Sequence, residues 1–584
     1  MLYYKSFKKA LVFMFLIGVF LSPFLYTFEN EVNNDLNVHG IYGLAINTKQ
    51  DLIDFAYEAN AGEEDFSNAL ITLNSDIDMK GESLTPIGNY ENPFNGVFNG
   101  LGNTIKNIDI EVVEEQGYIY TGLFGFIEDA QIGNLNVELD YEKQHENEDG
   151  DTALISGVVA NSTNSEIANI DVKGSIDIKI NAMDVYFGAV AARLDTQSQI
   201  SRSRNSAKLD IDISAEEDAY IGGVVAKLDD SVIFESYNFS NRQSNFKIES
   251  ENINIGGVLG SAESSLLQKI FSSTNTSIDI ENSNANIGGV AGKVQGADYY
   301  DEYGLFNALI YSDKRLEIDI DNTDQQVYKG GVFGKAIDTQ AQQIYSIYRK
   351  DIEDAQVGAL AGDAQEFHLS NSFYLYDDEV QQKFANYDDA TQTQDVSEVS
   401  NEDRSMDMFE DNGLDWNIAP ESEKDDVKQA DWVFTSNQPI IKNLGYTTLI
   451  TEIEGEGMSS HEGITVTPRQ LSQTYNILAE SGHEITKIRV NDREYTEVEG
   501  QTMIEDLTVN LDPWQENEVT IYINEIPFYR TREFYIFMGL GGIVLLMVVG
   551  TFIINYLYDK KQKRKIENKK DGIKKTGVDK KGQD

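Results

Sequence analysis

Cysteine is absent from all 584 residues of this chain. Without thiols there is no disulfide, no thiolate nucleophile and no cysteine-bound metal, so the folded state depends on packing alone. Histidine is scarce: the five residues are scattered and show neither HxxxH nor HExxH spacing, which argues against a histidine metal site. These residues are His39, His145, His368, His461 and His483.

Basic residues are also few. The chain holds 46 Lys and Arg against 98 Asp and Glu, which gives a formal net charge of −52. Such a surface repels polyanions, so we expect no nucleic acid among the partners. Solubility in a salty or alkaline medium explains the charge more simply than dedicated metal binding does.

The two ends of the chain predict membrane attachment. Three lysines, Lys5, Lys8 and Lys9, precede an apolar run, which predicts a signal peptide over residues 1–28, or a signal anchor because no small-x-small cleavage site follows. Residues 534–558 carry no charge and are long enough for one transmembrane helix. The tail, residues 559–584, holds 11 Lys and Arg against 5 Asp and Glu, which predicts the cytoplasmic side.

We therefore expect a single-pass protein of the cell membrane. Its large acidic N-terminal region would lie outside, and its short basic tail would lie in the cytoplasm, where it can contact the anionic lipid of the cytoplasmic membrane.

A glycine-centred apolar cluster recurs eight times between residues 121 and 362, as in GGVVA (222–226), GGVLG (256–260) and GGVFG (330–334). The recurring glycines are Gly122, Gly157, Gly188, Gly223, Gly257, Gly289, Gly331 and Gly358. Spacings of 27 to 42 residues between them indicate a repeat architecture. Between the clusters, segments such as SIDIKI (175–180) and KLDIDIS (208–214) alternate isoleucine with acidic residues, which predicts strands with one buried face.

A third, weaker strand lies between these two in each repeat, for example IANIDV (167–172). Three short strands per repeat with little helical periodicity predict an all-β fold, a parallel β-helix solenoid. Glycine where strand meets bend allows close backbone approach or a bulge.

Both ends of the solenoid need a cap. Residues 48–60 predict a short amphipathic helix at the N-terminal end, with Thr48 as N-cap and Leu52, Phe55 and Ala56 on its buried face. At the other end Trp416 and Trp432 are the predicted anchors of a C-terminal cap. The segment 448–527 reads as about six alternating strands, a small membrane-proximal β-sandwich that is similar to immunoglobulin-like modules of bacterial surface proteins.

The run from 69 to 110, ALITLNSDIDMKGESLTPIGNYENPFNGVFNGLGNTIKNIDI, followed by YTGLFGFIEDAQIGNLNVEL (120–139), resembles the opening of bacterial surface proteins that carry the GLUG motif. The later GGVxG clusters and the closing W…W…QPIIKNL segment are similar to the rest of that pattern, so the resemblance covers residues 41–447. It implies a right-handed β-helix displayed at the cell surface, in proteins that are often adhesin-like. It brings no catalytic residues with it.

No catalytic constellation is identifiable, and no cofactor is predicted. Asp177, Asp210 and Asp279 all occupy the wet face of strands, although equivalent acidic strands would stack into ladders of like charge that calcium could bridge. Asp76 and Asp78 are the most compact local pair and the candidate metal ligands, with a role in turning the chain as the simpler interpretation. The basic trio Arg193, Arg202 and Arg204 is expected to pair with the acidic surface rather than to form an anion site.

Three functions fit these observations. The first is a structural or binding role, as an adhesin-like protein that holds an extracellular polymer or a surface protein. The second is a membrane-tethered carbohydrate-active enzyme, a polysaccharide lyase or glycosidase, which would need close carboxylates beside a long groove with exposed aromatic side chains. The third is a cell-envelope scaffold.

Overall fold

The computed structural model describes residues 42–575, apart from 65, 68, 147–149, 282, 297–305, 322–324, 350–356, 377–381, 401–415, 421–423, 436–438, 445, 469–471, 492, 496–497, 513–515 and 531. The predicted signal segment 1–28 and the end of the basic tail lie outside the described residues. The chain forms two compact units. The first is Met1–Thr448 with Ile464–Gln470 and Asp512–Glu516, and the second is Leu449–Gly463, Leu471–Leu511 and Asn517–Asp584.

Successive repeats of the first unit stack in parallel. Ile221 pairs with Ile255, and Ile255 pairs with Ile287, so that residues one repeat apart are direct neighbours in a sheet. The same register joins the strands of a second, larger sheet, for example Ile211 with Phe246. The expectation of a mostly β fold with stacked parallel coils is confirmed, and the first unit is a parallel β-solenoid.

Two sheets carry this solenoid. Sheet 1 has nine strands, Val113–Glu115, Tyr118–Thr121, Thr152–Ser156, Asp184–Gly188, Asp218–Gly222, Asn252–Gly256, Asn284–Gly288, Val327–Gly330 and Val357–Gly358. Sheet 2 has 23 strands, Tyr42–Ile46, Ala69–Leu73, Ile77–Asp78, Val97–Asn99, Thr104–Lys106, Phe124–Glu128, Gln131–Glu146, Val159–Thr163, Glu166–Ala182, Ala191–Asp195, Gln199–Ser201, Arg204–Asn205, Lys208–Ala215, Val225–Asp229, Val232–Glu249, Leu259–Glu263, Leu266–Glu281, Ala291–Gln295, Phe306–Asp321, Phe333–Arg349, Ala361–Tyr376, Phe384–Tyr387 and Gln392–Ser400. A two-stranded sheet, Ser83–Leu84 with Asp109–Ile110, accompanies the first coils.

Each coil turns from sheet 1 into sheet 2 at its glycine cluster. A Cβ atom on Gly256 would lie 2.5 Å from the carbonyl oxygen of Val290 and 2.6 Å from the Cα of Ala291, both in the next coil. The backbones of neighbouring coils therefore leave no room for a side chain at this corner. This close approach is the physical reason for the recurring glycine cluster.

The prediction that each repeat contains three short strands is wrong for the long strands of sheet 2. The predicted segments 167–172 and 175–180 are not two short strands, since both lie within the single strand Glu166–Ala182. Asn169 bends this strand with a left-handed backbone, φ 56°, while the pairing to the previous coil continues on both sides of it. Asn169 also donates from Nδ2 to Oδ1 of Asn134, the equivalent residue one coil earlier, at 2.9 Å. A stacked asparagine pair therefore stabilises the bend.

The N-terminal helix forms as predicted. It spans Lys49–Ala61, and Thr48 is its N-cap, with the side chain accepting a hydrogen bond from the backbone N–H of Asp51. The face predicted to be buried is buried, and Phe55 packs edge-on against Phe94 at 5.8 Å between ring centroids. The helix therefore contributes its apolar face to the core of the first coils.

The two predicted C-terminal anchors lie on a flank of the solenoid. Trp416 stacks on Trp432 with ring centroids 4.5 Å apart and contacts Phe373 edge-on at 5.0 Å. Their cluster also includes Tyr237 and Phe271 from earlier coils. The short elements around them are the strands Ile418–Pro420, Trp432–Phe434 and Pro439–Ile441 and the helix Lys424–Gln429. This segment covers outward-facing aromatic side chains of several coils.

The region before the C-terminal helix contains a five-stranded and a three-stranded sheet. Their strands are Tyr446–Glu454, Gly457–Ser459, Gly463–Pro468, Ser472–Ala479, His483–Val490, Arg493–Tyr495, Met503–Asn510 and Asn517–Glu525. Tyr475 and Ile521, one from each sheet, lie in one buried apolar cluster. A 3-10 turn, Phe528–Arg530, precedes the helix Arg532–Lys575. The predicted apolar C-terminal helix is thus present, and by length and composition it can cross a membrane.

Candidate functional site

The glycine corners place two rows of outward-facing side chains next to each other along the solenoid. One row comes from the middle of each sheet 1 strand, and the other from the sheet 2 strand that follows the corner. We call these rows together the corner strip. From coil to coil the first row reads Tyr120, Leu154, Tyr186, Tyr220, Asn254, Asn286 and Tyr328, and the second reads Phe126, Asn161, Arg193, Lys227, Ser261, Lys293 and Lys335.

Small residues separate the two rows. At this position a Cβ on Gly260 would lie 2.7 Å from the backbone nitrogen of Ile221 in sheet 1, and a Cβ on Gly292 would lie 2.5 Å from that of Ile255. The three coils before Gly260 carry alanine there, and Ala160, Ala192 and Ala226 are fully buried. Sheet 2 thus packs closely against the backbone of sheet 1, and the larger side chains of the two rows rise on either side.

Tyrosines and basic groups contact each other across the strip. Tyr186 and Tyr220 stack with ring centroids 4.8 Å apart and an interplanar angle of 17°. The ammonium group of Lys227 lies 5.2 Å from the ring centroid of Tyr220, and that of Lys335 lies 5.2 Å from the ring centroid of Tyr328. These distances are typical of cation–π contacts, so the lysines are held over aromatic faces.

Carboxylates complete the strip in the coils that carry the tyrosine pair. The hydroxyl of Tyr220 donates to Asp218 at 2.9 Å, and Nε of Arg193 lies 2.8 Å from Oδ2 of Asp195. Burial raises the pKa of the Asp195 carboxyl, although Arg193 opposes that rise. Burial likewise raises the pKa of the Tyr186 hydroxyl to about 12. Acids, bases and phenols therefore share a partly desolvated surface, as is common at functional sites.

The composition of the strip changes along its length. At the N-terminal end Tyr90 stacks on Tyr118 at 5.6 Å and contacts Phe126 edge-on, while Tyr90 remains 47% exposed. Further along, Asn286 donates from Nδ2 to Oδ1 of Asn254 at 2.9 Å. An aromatic end thus leads into a charged middle and then into an amide ladder.

Each coil advances the strip by one strand spacing, about 4.8 Å. The half-buried members of the strip, such as Tyr186, Tyr220 and Lys227, offer aromatic faces and hydrogen-bonding groups, whereas Tyr120, Leu154, Asn254 and Ser261 are buried. Aromatic faces accept apolar surfaces, and the polar groups can orient hydroxyl or charged substituents. This arrangement suits an extended, repeating ligand better than a compact one.

The candidate metal ligands lie away from the strip, in the first coils. Asp76 accepts a hydrogen bond from the backbone N–H of Thr104 at 2.8 Å. Asp78 accepts from the backbone N–H of Lys80 at 3.1 Å and from Nδ2 of Asn107 at 2.9 Å. The hydrogen bond from Asn107 is the main reason why the pKa of the Asp78 carboxyl is lowered. Both carboxylates thus bond to groups of the following coil or turn, and calcium binding here stays a prediction.

The expected acidic ladders are interrupted. Asp177 stacks on Asp210, and burial followed by the charge of Asp210 raises the pKa of the Asp177 carboxyl. The next residue in that column is Asn245, which donates to Asp210 at 2.6 Å. In the neighbouring column Lys247 stands between two aspartates. Within the described residues no group of three or more acidic or histidine side chains is arranged to hold a metal ion.

The three arginines pair with carboxylates, as expected. Arg193 binds Asp195, Arg202 binds Glu235 and Arg204 binds Asp171. Only Arg193 belongs to the corner strip. The expectation of pairing with carboxylates is confirmed, but Arg204 and Asp171 pair in the interior and not on the acidic surface.

Sequence reasoning missed the corner strip, although a signal for it exists. A tyrosine or asparagine stands two residues before a corner glycine. A basic residue follows seven residues after that tyrosine or asparagine. The pairs with this spacing are Tyr186 with Arg193, Tyr220 with Lys227, Asn286 with Lys293 and Tyr328 with Lys335. If the repeats are aligned on their corner glycines, this spacing locates the strip.

Only solved structures with low similarity scores match this chain. No family model matches the chain, and no curated protein matches it. Among solved structures, the chain is similar to the A-module of the Azotobacter vinelandii mannuronan C-5 epimerase AlgE6, at 12% identity and a TM-score of 0.22, over 60% of this chain and 94% of that one. The A-module of AlgE4 from the same organism gives 10% identity and a TM-score of 0.16, over 60% and 92%. Scores this low support no conclusion about fold or activity.

Proposed function

We propose that this protein is a membrane-anchored surface protein whose solenoid binds an extended glycan along the corner strip. The observation that carries the proposal is the tyrosine pair Tyr186 and Tyr220, stacked and flanked by Arg193 and Lys227, in a protein of net charge −52. Half-buried aromatic rings beside a few placed polar groups are typical of ligand-binding surfaces.

The chemistry of a sugar chain matches that of the strip. The apolar faces of sugar rings can lie on tyrosine rings, and sugar hydroxyls both donate and accept hydrogen bonds, as the carboxylates, amides and ammonium groups of the strip require. A glycan is also extended, as the strip is. One chain could therefore contact several coils at once, and the combined effect of these contacts would give useful affinity from weak single contacts.

The remaining features fit display at the cell surface. In this proposal residues 1–28 direct export, the segment 534–558 spans the cytoplasmic membrane, and the tail 559–584 lies in the cytoplasm because of its basic residues. The solenoid 41–447 is a right-handed GLUG-type β-helix, and the immunoglobulin-like segment 448–527 acts as a spacer.

A second function, glycan cleavage or modification, is favoured by one observation. Asp184 and Asp195 both have carboxyl pKa values raised by burial, and after burial the charge of Asp184 contributes most to the raised pKa of Tyr186. Carboxyls with raised pKa values beside a phenol and an arginine are suitable for general acid–base chemistry. If the strip is catalytic, Asp195→Asn should abolish product formation while glycan binding persists.

The test uses the full-length protein in lipid nanodiscs on a glycan array, with and without calcium, with mass spectrometry of the same glycans for products. Tyr220→Ala should weaken binding about twofold to tenfold, because an aromatic contact contributes about 0.5–1.5 kcal/mol. The matched control is Tyr57→Ala, since Tyr57 is 76% exposed on the N-terminal helix and should not matter. Equal binding by both variants would refute the proposal, and products would favour the enzyme.

A further inference from the structure

Two lysines of the corner strip stand on alternate coils with a small hydroxyl residue between them. Lys227 is in register with Ser261, and Ser261 is in register with Lys293. With one strand spacing per coil, the Cα atoms of the two lysines are about 10 Å apart. Ser261 is short and buried, so it places no charged group between the two lysines.

These lysines differ from the other bases of the strip. Arg193 and Lys335 each form an ion pair, with Asp195 at 2.8 Å and with Asp363 at 3.1 Å. Among the described residues, neither Lys227 nor Lys293 has a carboxylate within ion-pair distance. Lys227 instead lies over the ring of Tyr220.

The charges around Lys293 are mixed. Burial lowers the pKa of its ammonium group, Lys335 and Lys227 add to that effect, and Glu263 and Asp218 oppose it from beyond contact distance. Its positive charge is thus partly removed from water without a partner that replaces the lost hydration. An anion placed between the two lysines would supply that partner.

The opposite row supplies neutral groups at the same coils. Asn254 and Asn286 occupy the positions that tyrosines hold in the preceding coils. Their amides form a ladder, so this part of the strip presents no carboxylate from the facing row. A negatively charged group here would meet the two ammonium groups and the half-buried amide of Asn286, while Glu263 and Asp218 act from further away.

We infer that Lys227 and Lys293, with Asn286 opposite, form a subsite for an anionic substituent of the bound glycan. The inference rests on the proposed glycan-binding function and narrows its ligand to an acidic polysaccharide. The shared chemistry is a single negative charge with several oxygen acceptors, which a uronic acid carboxylate or a sulfate ester would provide. Recognition is local, because the protein as a whole repels such a polymer.

That contrast has a measurable consequence. Long-range repulsion acts on the approach of the polymer and is screened by salt, whereas contacts inside the partly buried subsite are screened less. Association should therefore become faster as salt is added from a low concentration, opposite to the usual behaviour of a basic site that attracts an anion.

The experiment titrates full-length protein in nanodiscs of neutral lipid with three oligosaccharides of equal length, one neutral, one uronate-containing and one sulfated. Lys293→Gln and Lys227→Gln should each weaken binding of an acidic ligand about tenfold to a hundredfold, since a charge-assisted hydrogen bond contributes about 1.5–3 kcal/mol. Binding of the neutral ligand should not change. Lys293→Arg should retain binding of the acidic ligand, and Lys247→Gln, whose lysine side chain is 60% exposed elsewhere, serves as the control.

The outcomes separate the two proposals. If the two lysine-to-glutamine variants lose affinity for the uronate ligand alone, or for the sulfated ligand alone, the subsite is supported and its anion is identified. If these variants lose affinity equally for neutral and acidic ligands, the subsite is refuted, but the proposal that the strip binds a glycan still stands. If Tyr220→Ala is also without effect on every ligand, glycan binding by the strip is itself refuted, and the subsite with it.

Discussion

Replacing Gly256 with alanine tests the explanation of the recurring glycine cluster. The new Cβ would overlap the carbonyl oxygen of Leu259 and lie 2.5 Å from that of Val290. Both atoms belong to backbone, so the clash can be relieved only by moving the corner. Three corner hydrogen bonds would be disturbed, from the N–H groups of Gly257, Val258 and Leu259 to the next coil.

Each of these hydrogen bonds contributes about 1 kcal/mol, and overpacking at a rigid site costs about 1–3 kcal/mol. We therefore expect Gly256→Ala to destabilise the solenoid by about 3 kcal/mol, measured by thermal and urea unfolding of the full-length protein with far-UV circular dichroism. The control is Gly43→Ala, because a Cβ there meets nothing within 4 Å and should change stability by less than about 0.5 kcal/mol.

Similar unfolding curves for the two alanine variants would contradict this reasoning. The glycines would then be present for another reason, and the close approach of neighbouring coils at the corner would not be a constraint on the sequence.

Three further predictions concern buried or half-buried groups of the first unit. Arg204→Leu should destabilise the protein by about 3–5 kcal/mol in urea unfolding, because it leaves the buried carboxylate of Asp171 without its arginine. Burial raises the pKa of Glu166 from 4.5 to about 7, so the fold loses stability as the pH rises through this interval and the carboxyl ionises. Glu166→Gln should therefore raise the melting temperature near pH 8 and leave it unchanged near pH 4. Trp416→Ala removes a ring that stacks on Trp432 and donates to the Asn371 carbonyl at 2.8 Å, so limited proteolysis should cut the segment 416–444 sooner.

Each of these has a result that would count against it. A stable Arg204→Leu variant would mean that Asp171 finds enough support from Lys173, which lies 2.9 Å away. A gain from Glu166→Gln that is equal at both pH values would show that burial of charge is not the cause. Unchanged proteolysis of Trp416→Ala would show that the segment is held by other contacts.

The sequence predicted the repeat and its direction of packing because these follow from local patterns. Alternating isoleucines such as Ile176 and Ile178 are buried, as their period requires. The helix at 48–60 was also predictable, since Thr48 and the apolar spacing from Leu52 are local signals. What failed was the division into short strands, because a single left-handed residue such as Asn169 bends a strand without ending it.

The corner strip could not be found from any single coil. Tyr220 and Lys227 look like an ordinary exposed tyrosine and an ordinary exposed lysine until the corner folds them together. The relation between Lys227 and Lys293 also depends on register between coils, and repeat lengths that vary from 27 to 42 residues obscure it. Local patterns therefore predicted the fold, whereas the candidate site depends on which coils are neighbours.

The most direct test of the account is hydroxyl-radical footprinting of the full-length protein in nanodiscs, with and without a glycan selected on the array. The account predicts protection of Tyr186, Tyr220 and Tyr328 by the ligand, with no change at Tyr57, which is exposed on the N-terminal helix. Protection confined to residues outside the strip would contradict its role as the binding surface.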